Sequence, residues 1–530
     1  MSSILKEIGV KRKSKIILIS FMLVASFLII YIPIYVIDYF VTIKIENRSI
    51  LSEYENKDST GAAVARWDIS PLCIASDEFA ASQQPRGEQF WKYINETAPG
   101  VFKYARIHNI FTSSQGDRRG KSNAGGDVVQ KYDNGTIWYD WSIVDDVYDL
   151  IVHSNVTPLV ELGFMPKILS SNPDEEPERR MPDKMSDWEN LITAFLNHMD
   201  ARYGLERMKN WRYEVWNEPD AGSFWVDSWE DYFELYKATV ETIKDFNADL
   251  KVGGPAVAKD MNFFRKFLEY CSKNEVPLDF ISFHTKGGEG VELNPSHLAL
   301  VTRIRSYFDI LREFRDYDQR YNENIEYICT EADPIVGSHR SKEQNPVFGF
   351  RDTEYYAAWF VHTLINLMHL QIEYGYSLHA TFSNNILFPW EVKTFHGTRG
   401  FLTPLFKKKG DIETRIPEDM PLPECSAVLG KPIFTASQLI DKIPKGRAEI
   451  LRSEILGIAA LTNRINVLSL RSQDSEKEYY QILVSNHEEL QIGGKPRYIH
   501  FEFDFKEEEV DQVEIKEWRI DENSNNAFRL

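Results

Sequence analysis

The chain repeats one pattern through most of its length: a short run rich in β-branched and aromatic residues, then a stretch of helical length. The runs are Lys103–His108, Thr157–Gly163, Arg212–Trp216, Leu250–Pro255, Asp279–His284, Glu326–Thr330 and His379–Ser383. Between them, Trp188–Tyr203, Trp229–Phe246 and Phe263–Cys271 carry apolar residues at helical spacing. Strands alternating with helices predict a parallel sheet covered by helices. An eighth run near Ser70–Ala80 completes the count for an α/β fold, a (β/α)8 TIM barrel over residues 70–405. The Pro-rich, charged stretch Asn172–Lys184 reads as a surface loop.

Past Leu405 the texture changes. A polar, Pro-rich stretch to Pro423 reads as part of a linker over 406–430. Beyond it, Ile455–Leu461, Ile465–Ser469, Tyr479–Val484, Tyr498–Phe505 and Val513–Trp518 predict an antiparallel β-sandwich over 431–530.

At the other end, residues 1–15 form a basic tail. Ile16–Ile37 is an uncharged apolar run of bilayer length, preceded by Lys11, Arg12, Lys13 and Lys15. The expectation is a signal anchor with the rest of the chain in the lumen or outside, 38–69 being a linker. A long cleavable signal peptide is the competing reading. Sequons at Asn47, Asn95, Asn134 and Asn155 agree with lumenal exposure. Four cysteines (Cys73, Cys271, Cys329 and Cys425) make neither a disulfide framework nor a zinc motif, and Cys329 reads as a small buried hydrophobe. A net charge of −19 argues against nucleic acid as a partner.

Two carboxylates carry the chemistry. Glu218 sits in Trp216–Pro219, after the run ending at Trp216, and Glu331 follows the run ending at Thr330. The gap, 331 − 218 = 113 residues, fits three barrel units, as from strand 4 to strand 7. Two glutamates at the C-terminal ends of barrel strands face one cleft and can serve as acid/base and nucleophile of a retaining glycosidase. Such a pair needs no metal and no cofactor. Asn217 is placed to hydrogen-bond a sugar 2-OH. His108 and His284 each end a strand and read as substrate-positioning residues. Lys286 and Arg399 both follow predicted strands; together they suggest a positive site for an anionic substituent.

Trp-Asn-Glu-Pro-Asp, Ile-Ser-Phe-His-Thr-Lys-Gly and Glu-Ala-Asp-Pro-Ile-Val-Gly together resemble glycoside hydrolase family 39, and within it the α-L-iduronidases. Val160–Pro166 and Lys251–Pro255 are more similar to the family's β-xylosidases. The resemblance implies Glu218 as acid/base and Glu331 as nucleophile. It also implies His108, Asn217 and Lys286 in the substrate pocket, with the backbone at Gly337 and the fork of Arg399 around a uronate carboxylate. Two positions depart from the iduronidase pattern: Ser338 stands where Trp is expected, and Asn385 where a hydroxyl-binding Asp is expected.

The resulting expectation is a retaining exo-glycosidase acting on terminal α-L-iduronides of glycosaminoglycans such as dermatan or heparan sulfate. It would be tethered to a membrane, with lysosomal delivery implied by the family. The alternatives are a β-xylosidase-like enzyme and a membrane-tethered sugar-binding protein without turnover.

Overall fold

The computed structural model describes residues 40–50, 66–67, 72–76, 86–112, 127–288, 295–318, 325–335, 341–376, 378–385, 393–405, 427–441, 446–447, 449–456, 464–473, 478–488, 498–503 and 517–521. The basic tail, the apolar run Ile16–Ile37, Gly337 and Cys425 lie outside these residues. Among the described residues, no helix is long and apolar enough to cross a membrane.

Eight parallel strands close into a barrel: β1 (Leu72–Ser76), β2 (Phe102–Ile107), β3 (Thr157–Leu162), β4 (Arg212–Val215), β5 (Lys251–Val257), β6 (Phe280–Gly288), β7 (Glu326–Ile335) and β8 (Leu378–Asn385). Each pairs with its neighbours in sequence, and β8 returns to β1 through Thr381 opposite Leu72. The intervening helices are α1 (Arg86–Thr97), α2 (Ser142–His153), α3 (Met185–Tyr203), α4 (Trp229–Phe246), α5 (Met261–Lys273), α6 (His297–Tyr317) and α7 (Glu354–Tyr374). Their apolar faces, such as Phe263, Phe264, Phe267 and Leu268 of α5, enter one continuous core with the strands. Close strand contact requires glycine at one point of β5. A Cβ on Gly253 would stand 2.1 Å from the carbonyl oxygen of Phe280 on β6.

The barrel extends beyond its expected end at residue 405. Ala427–Gly430, expected in a linker, pairs antiparallel with Leu402–Leu405. It leads into α8 (Pro432–Ile440), whose Phe434 packs on Tyr93 of α1 and Phe102 of β2. Lys431, at the start of α8, is buried against Asp352, 2.9 Å away, and fixes this helix to the β7–α7 connection.

The C-terminal region also differs from expectation. Its described strands form one mixed five-stranded sheet rather than an antiparallel sandwich, and its second strand from the edge is the segment Phe40–Ile50. That segment, expected as linker, pairs antiparallel with Glu449–Leu456 and parallel with Tyr498–Phe503. The physical reason is legible in its pattern: Val41, Ile43 and Ile45 alternate and are fully buried with Leu451, Ile465 and Val467. The opposite face of the sheet places Ile450, Leu468 and Leu470 on Ile365 and Ile372 of α7. Arg66–Trp67, also expected as linker, pairs with Gly446–Arg447.

Burying three β-branched side chains at ~1.5–3 kcal/mol each sets the scale for this strand's contribution. A chain beginning at residue 51 should therefore unfold with a stability lower by at least about 4 kcal/mol, or precipitate, relative to one beginning at Phe40. Chemical denaturation of the two truncations measures this. Equal stabilities would show the strand to be dispensable.

Candidate active site

The turn after β4 is held in an uncommon backbone conformation. Trp216 (φ 72°) and Glu218 (φ 44°) are both left-handed and flank Asn217. Such residues each cost about 1–3 kcal/mol and persist only where packing holds them. Here the Trp216 ring packs edge-on against Phe164 and Trp225, and its Nε1–H donates to the Phe224 carbonyl at 3.0 Å. The Glu218 N–H donates to the Ala256 carbonyl on β5 at 3.1 Å. Asp220 accepts from the backbone N–H groups of Ala258, Lys259 and Asp260 at 2.7–2.9 Å. Burial, opposed by these N–H groups and assisted by the nearby charge of Glu218, raises the Asp220 pKa.

Glu331 lies inside β7, where register supplies its neighbours. His284 of β6 is directly opposite Glu331, and Lys286 is opposite Asp333. Because side chains alternate along a strand, these four residues project on one side. His284 Nδ1 stands 2.7 Å from Glu218 Oε1 and 3.9 Å from Glu331 Oε1. Lys286 Nζ donates to Glu331 Oε2. Arg399 Nη1 reaches Glu331 Oε2 at 3.6 Å and Asp333 Oδ2 at 3.3 Å. Arg351, stacked over Phe348, approaches both oxygens of Asp333 at 3.4 Å.

Behind the pair sits Arg106 of β2, fully enclosed. Its guanidinium donates to Glu214 on β4 (2.6 Å), Asn217 Oδ1 (2.9 Å) and Glu331 Oε1 (3.3 Å), and forms an ion pair with Glu161 on β3 at 2.8 Å. Burial alone would lower its pKa; Glu214, Glu161 and Glu331 outweigh that and hold it above its ordinary value. Glu161 also meets His108 Nδ1 at 2.8 Å, while the His108 ring rests edge-on against Phe164 and Phe224. Burial would raise the Glu161 pKa, but His108 and Arg106 bring it below the usual carboxylate value. The same competition acts on Glu331: burial is overcome by Lys286, His284, Arg399 and Arg106, and its carboxyl is held well below the usual range.

One oxygen of Glu218, one of Glu331 and a nitrogen of His284 lie within 4.8 Å of one another. Three such groups can ligate a metal, but the donor set fits one poorly. Both oxygens of Glu331 already take hydrogen bonds from cations, Lys286 and Arg106, whose charge opposes a metal ion. Carboxylate chemistry is what this arrangement favours.

The structure thus brings Glu218, Glu331, Asn217, His108, His284, Lys286 and Arg399 to one end of the barrel. Asn385 ends β8 opposite Ala75. Lys286 and Arg399, read from the sequence as a positive site for an anionic substituent, already face the protein's own anions Glu331 and Asp333. Arg106, Glu161, Glu214, Asp333 and Arg351 were missed. For those on strands the signal was a charge interrupting an otherwise apolar β-run, as Glu161 does in Leu159–Leu162; Arg351 lies in the short helical segment Pro346–Asp352 and gave none.

Of the four sequon asparagines, Asn95 lies on α1 and donates to Ser154 Oγ at 3.0 Å. Asn134 is exposed in a turn, Asn155 is exposed at φ 55°, and Asn47 lies within the first strand of the C-terminal sheet. Cys329 is a free, fully buried thiol beside Glu331, pushed up to about 12 by burial.

An eight-stranded α/β barrel with two carboxylates facing each other, one in the turn after strand 4 and one in the C-terminal half of strand 7, defines the class of barrel glycosidases. Within that class, the chain belongs to the glycosyl hydrolases of family 39, whose model matches residues 75–529. It is 32% identical over 219 residues to a β-xylosidase of Geobacillus stearothermophilus, covering 40% of this chain and 42% of that enzyme. It is 26% identical over 346 residues to an α-L-iduronidase of Drosophila melanogaster, covering 60% of this chain and 49% of that enzyme. The chain thus spans about half the length, or less, of these curated relatives. Its fold recurs among solved structures. A monomeric β-xylosidase from Caulobacter crescentus has TM-score 0.57 at 23% identity, covering 82% of this chain and 78% of that one. A bacterial orthologue of human α-L-iduronidase has TM-score 0.61 at 17% identity, covering 86% and 66%.

The buried charges yield a signed pH prediction. Glu161 and Glu331 have depressed folded-state pKa values, so the stability they contribute is present above the unfolded value of about 4.3. It is lost as pH falls through their folded values. Arg106→Met leaves buried carboxylates without their cation and should destabilise the fold by about 3–5 kcal/mol at pH 7. The deficit should shrink as pH falls and the carboxylates, buried without their cation in the variant, protonate. Urea unfolding across pH measures both; a deficit independent of pH would contradict the electrostatic account.

Proposed function

We propose that the chain is a retaining exo-glycosidase, with Glu218 as acid/base and Glu331 as nucleophile, acting on terminal α-L-iduronides. The observation that carries the mechanism is the approach of one oxygen of each carboxylate to within 4.8 Å. Retaining pairs stand about 5–5.5 Å apart, whereas inverting pairs leave roughly 6.5–9.5 Å for a water.

Glu331, kept ionised by Lys286, His284, Arg399 and Arg106, attacks the anomeric carbon. Glu218, oriented by His284, protonates the departing glycosidic oxygen and later takes a proton from the water that releases the sugar. Asn217 has its Oδ1 occupied by Arg106, so its Nδ2–H group remains to donate to the sugar 2-OH. His108, held at Nδ1 by Glu161, is placed to contact a sugar hydroxyl.

The substrate assignment rests on what happens to Lys286. Its carboxylate partner loses its charge when Glu331 becomes esterified. A uronate carboxylate would then compensate the ammonium, and Arg399 stands beside it. On this reading the substrate is a glycosaminoglycan end, met on the lumenal or outer side of a membrane by a barrel tethered through residues 16–37. One observation favours a second reading, a β-xyloside substrate: in the free enzyme both cations are already paired with Glu331 and Asp333.

Two expectations follow. Glu331→Gln should abolish turnover. Glu218→Gln should retain it only on aryl glycosides with good leaving groups, which need no proton. Near-normal rates for both variants on natural substrate would refute the assignment. Separately, kcat/KM on matched aryl α-L-iduronide and β-xyloside should favour the uronide. Lys286→Met should cut that ratio roughly 10- to 100-fold, as expected for one charge-assisted contact. Turnover of the xyloside alone would establish the second reading.

A further inference from the structure

The connection between β2 and α2 contains a hairpin that the catalytic reading does not use. Val129–Lys131 pairs antiparallel with Ile137–Tyr139, placing Lys131 opposite Ile137 and Gln130 opposite Trp138. The loop Asp133–Gly135 is closed by the Gly135 N–H to the Tyr132 carbonyl and the Tyr132 N–H to the Thr136 carbonyl, both at 2.9 Å. Gly135 has φ +88°. This is the pattern of a type I turn followed by a bulge that needs a left-handed glycine.

The two faces of the hairpin differ. Val129 is buried, and Tyr139 stacks on Trp141 towards the core. Alternation sends Tyr132, Thr136 and Trp138 to the other side. There Tyr132 is 56% exposed and Trp138 37% exposed. Their rings stack on each other at 5.8 Å and 27°. One face of Tyr132 is thereby covered and the other is open to solvent.

Asn134-Gly135-Thr136 at the tip is a sequon. Asn134 Oδ1 accepts the Thr136 N–H at 2.9 Å, which turns its Nδ2 away from the backbone. The other three sequons lack this setting. Asn95 is helical and its Nδ2 already donates to Ser154. Asn47 lies within a paired strand, and Asn155 precedes Pro158 at a strand entry.

We propose that Asn134 is an N-glycosylation site whose first N-acetylglucosamine lies on the open face of Tyr132. The donor is a polyprenyl-diphosphate-linked oligosaccharide. A bond forms between the sugar C1 and Asn134 Nδ2 while the C1–O bond to the diphosphate breaks. The diphosphate leaves with the electron pair and the amide gives up one proton. The apolar C–H face of the sugar covers an aromatic ring otherwise left in water, two residues before the attachment point. The proposal rests on lumenal exposure of the barrel, not on its substrate.

The test uses the full chain expressed in a eukaryotic host that adds high-mannose glycans and recovered from its membranes in detergent. Glycopeptide mass spectrometry should find Asn134 occupied. Hydrogen exchange then compares protein trimmed to a single N-acetylglucosamine with protein stripped of sugar entirely. The single sugar should slow exchange of the Tyr132 and Gly135 amides by roughly 3- to 10-fold. In Tyr132→Ala, which lies outside the catalytic machinery, that slowing should vanish. An unmodified Asn134 overturns the site, whether or not Asn95 carries glycan. Equal slowing in Tyr132→Ala overturns the stacking.

Discussion

The Arg106 guanidinium is the interaction on which the rest of the site depends. It is a cation sealed inside the barrel and answered by Glu161, Glu214 and Glu331 from three other strands. An unpaired charge there would be prohibitive; a paired one, with hydrogen bonds satisfied on several sides, is tolerated and directional. The planar fork ties β2 to β3, β4 and β7 at defined angles. It holds Asn217 and Glu331 from behind, so both groups are set before any sugar arrives.

A second layer supports the first. Asp220 gathers three N–H groups from the β5–α5 connection, and Asp260 in that connection caps α5. The strained turn at Trp216–Glu218 is thus anchored to a helix terminus, and its aromatic packing offsets the left-handed backbone. Family 39 membership and this geometry agree on the type of chemistry. The identity of the sugar depends on a much smaller part of the molecule, the charge balance around Lys286, Arg399 and Asp333.

The barrel was legible because each of its strands is a short apolar run bounded by turns, and all eight runs coincide with observed strands. Glu218 and Glu331 were legible because each lies within two residues of the end of such an apolar run, although β7 itself continues past Glu331 to Ile335. Arg106, Glu161 and Glu214 were not. A single charge within a strand ordinarily faces water, and only the closed barrel shows that three strands aim opposite charges at one point. The strand Phe40–Ile50 was missed for a related reason. Its alternation is plain, but its partners lie roughly 400 residues away, and local pattern cannot name them.

That remote pairing bears on how the chain comes to be folded. Phe40–Ile50 leaves the ribosome long before its antiparallel partner, which begins at Glu449, and its parallel partner, which begins at Tyr498. At about 5–20 residues per second, the strand waits on the order of 20 to 90 seconds for them. During that interval Val41, Ile43 and Ile45 form an exposed, unpaired β-edge, while the barrel between the two ends has time to fold. Closing so large a loop adds little to the entropy for each doubling of length, so equilibrium stability scarcely registers the delay. The burden falls on biogenesis: whatever meets the nascent strand must keep it from pairing elsewhere until Glu449–Leu456 and Tyr498–Phe503 have been made.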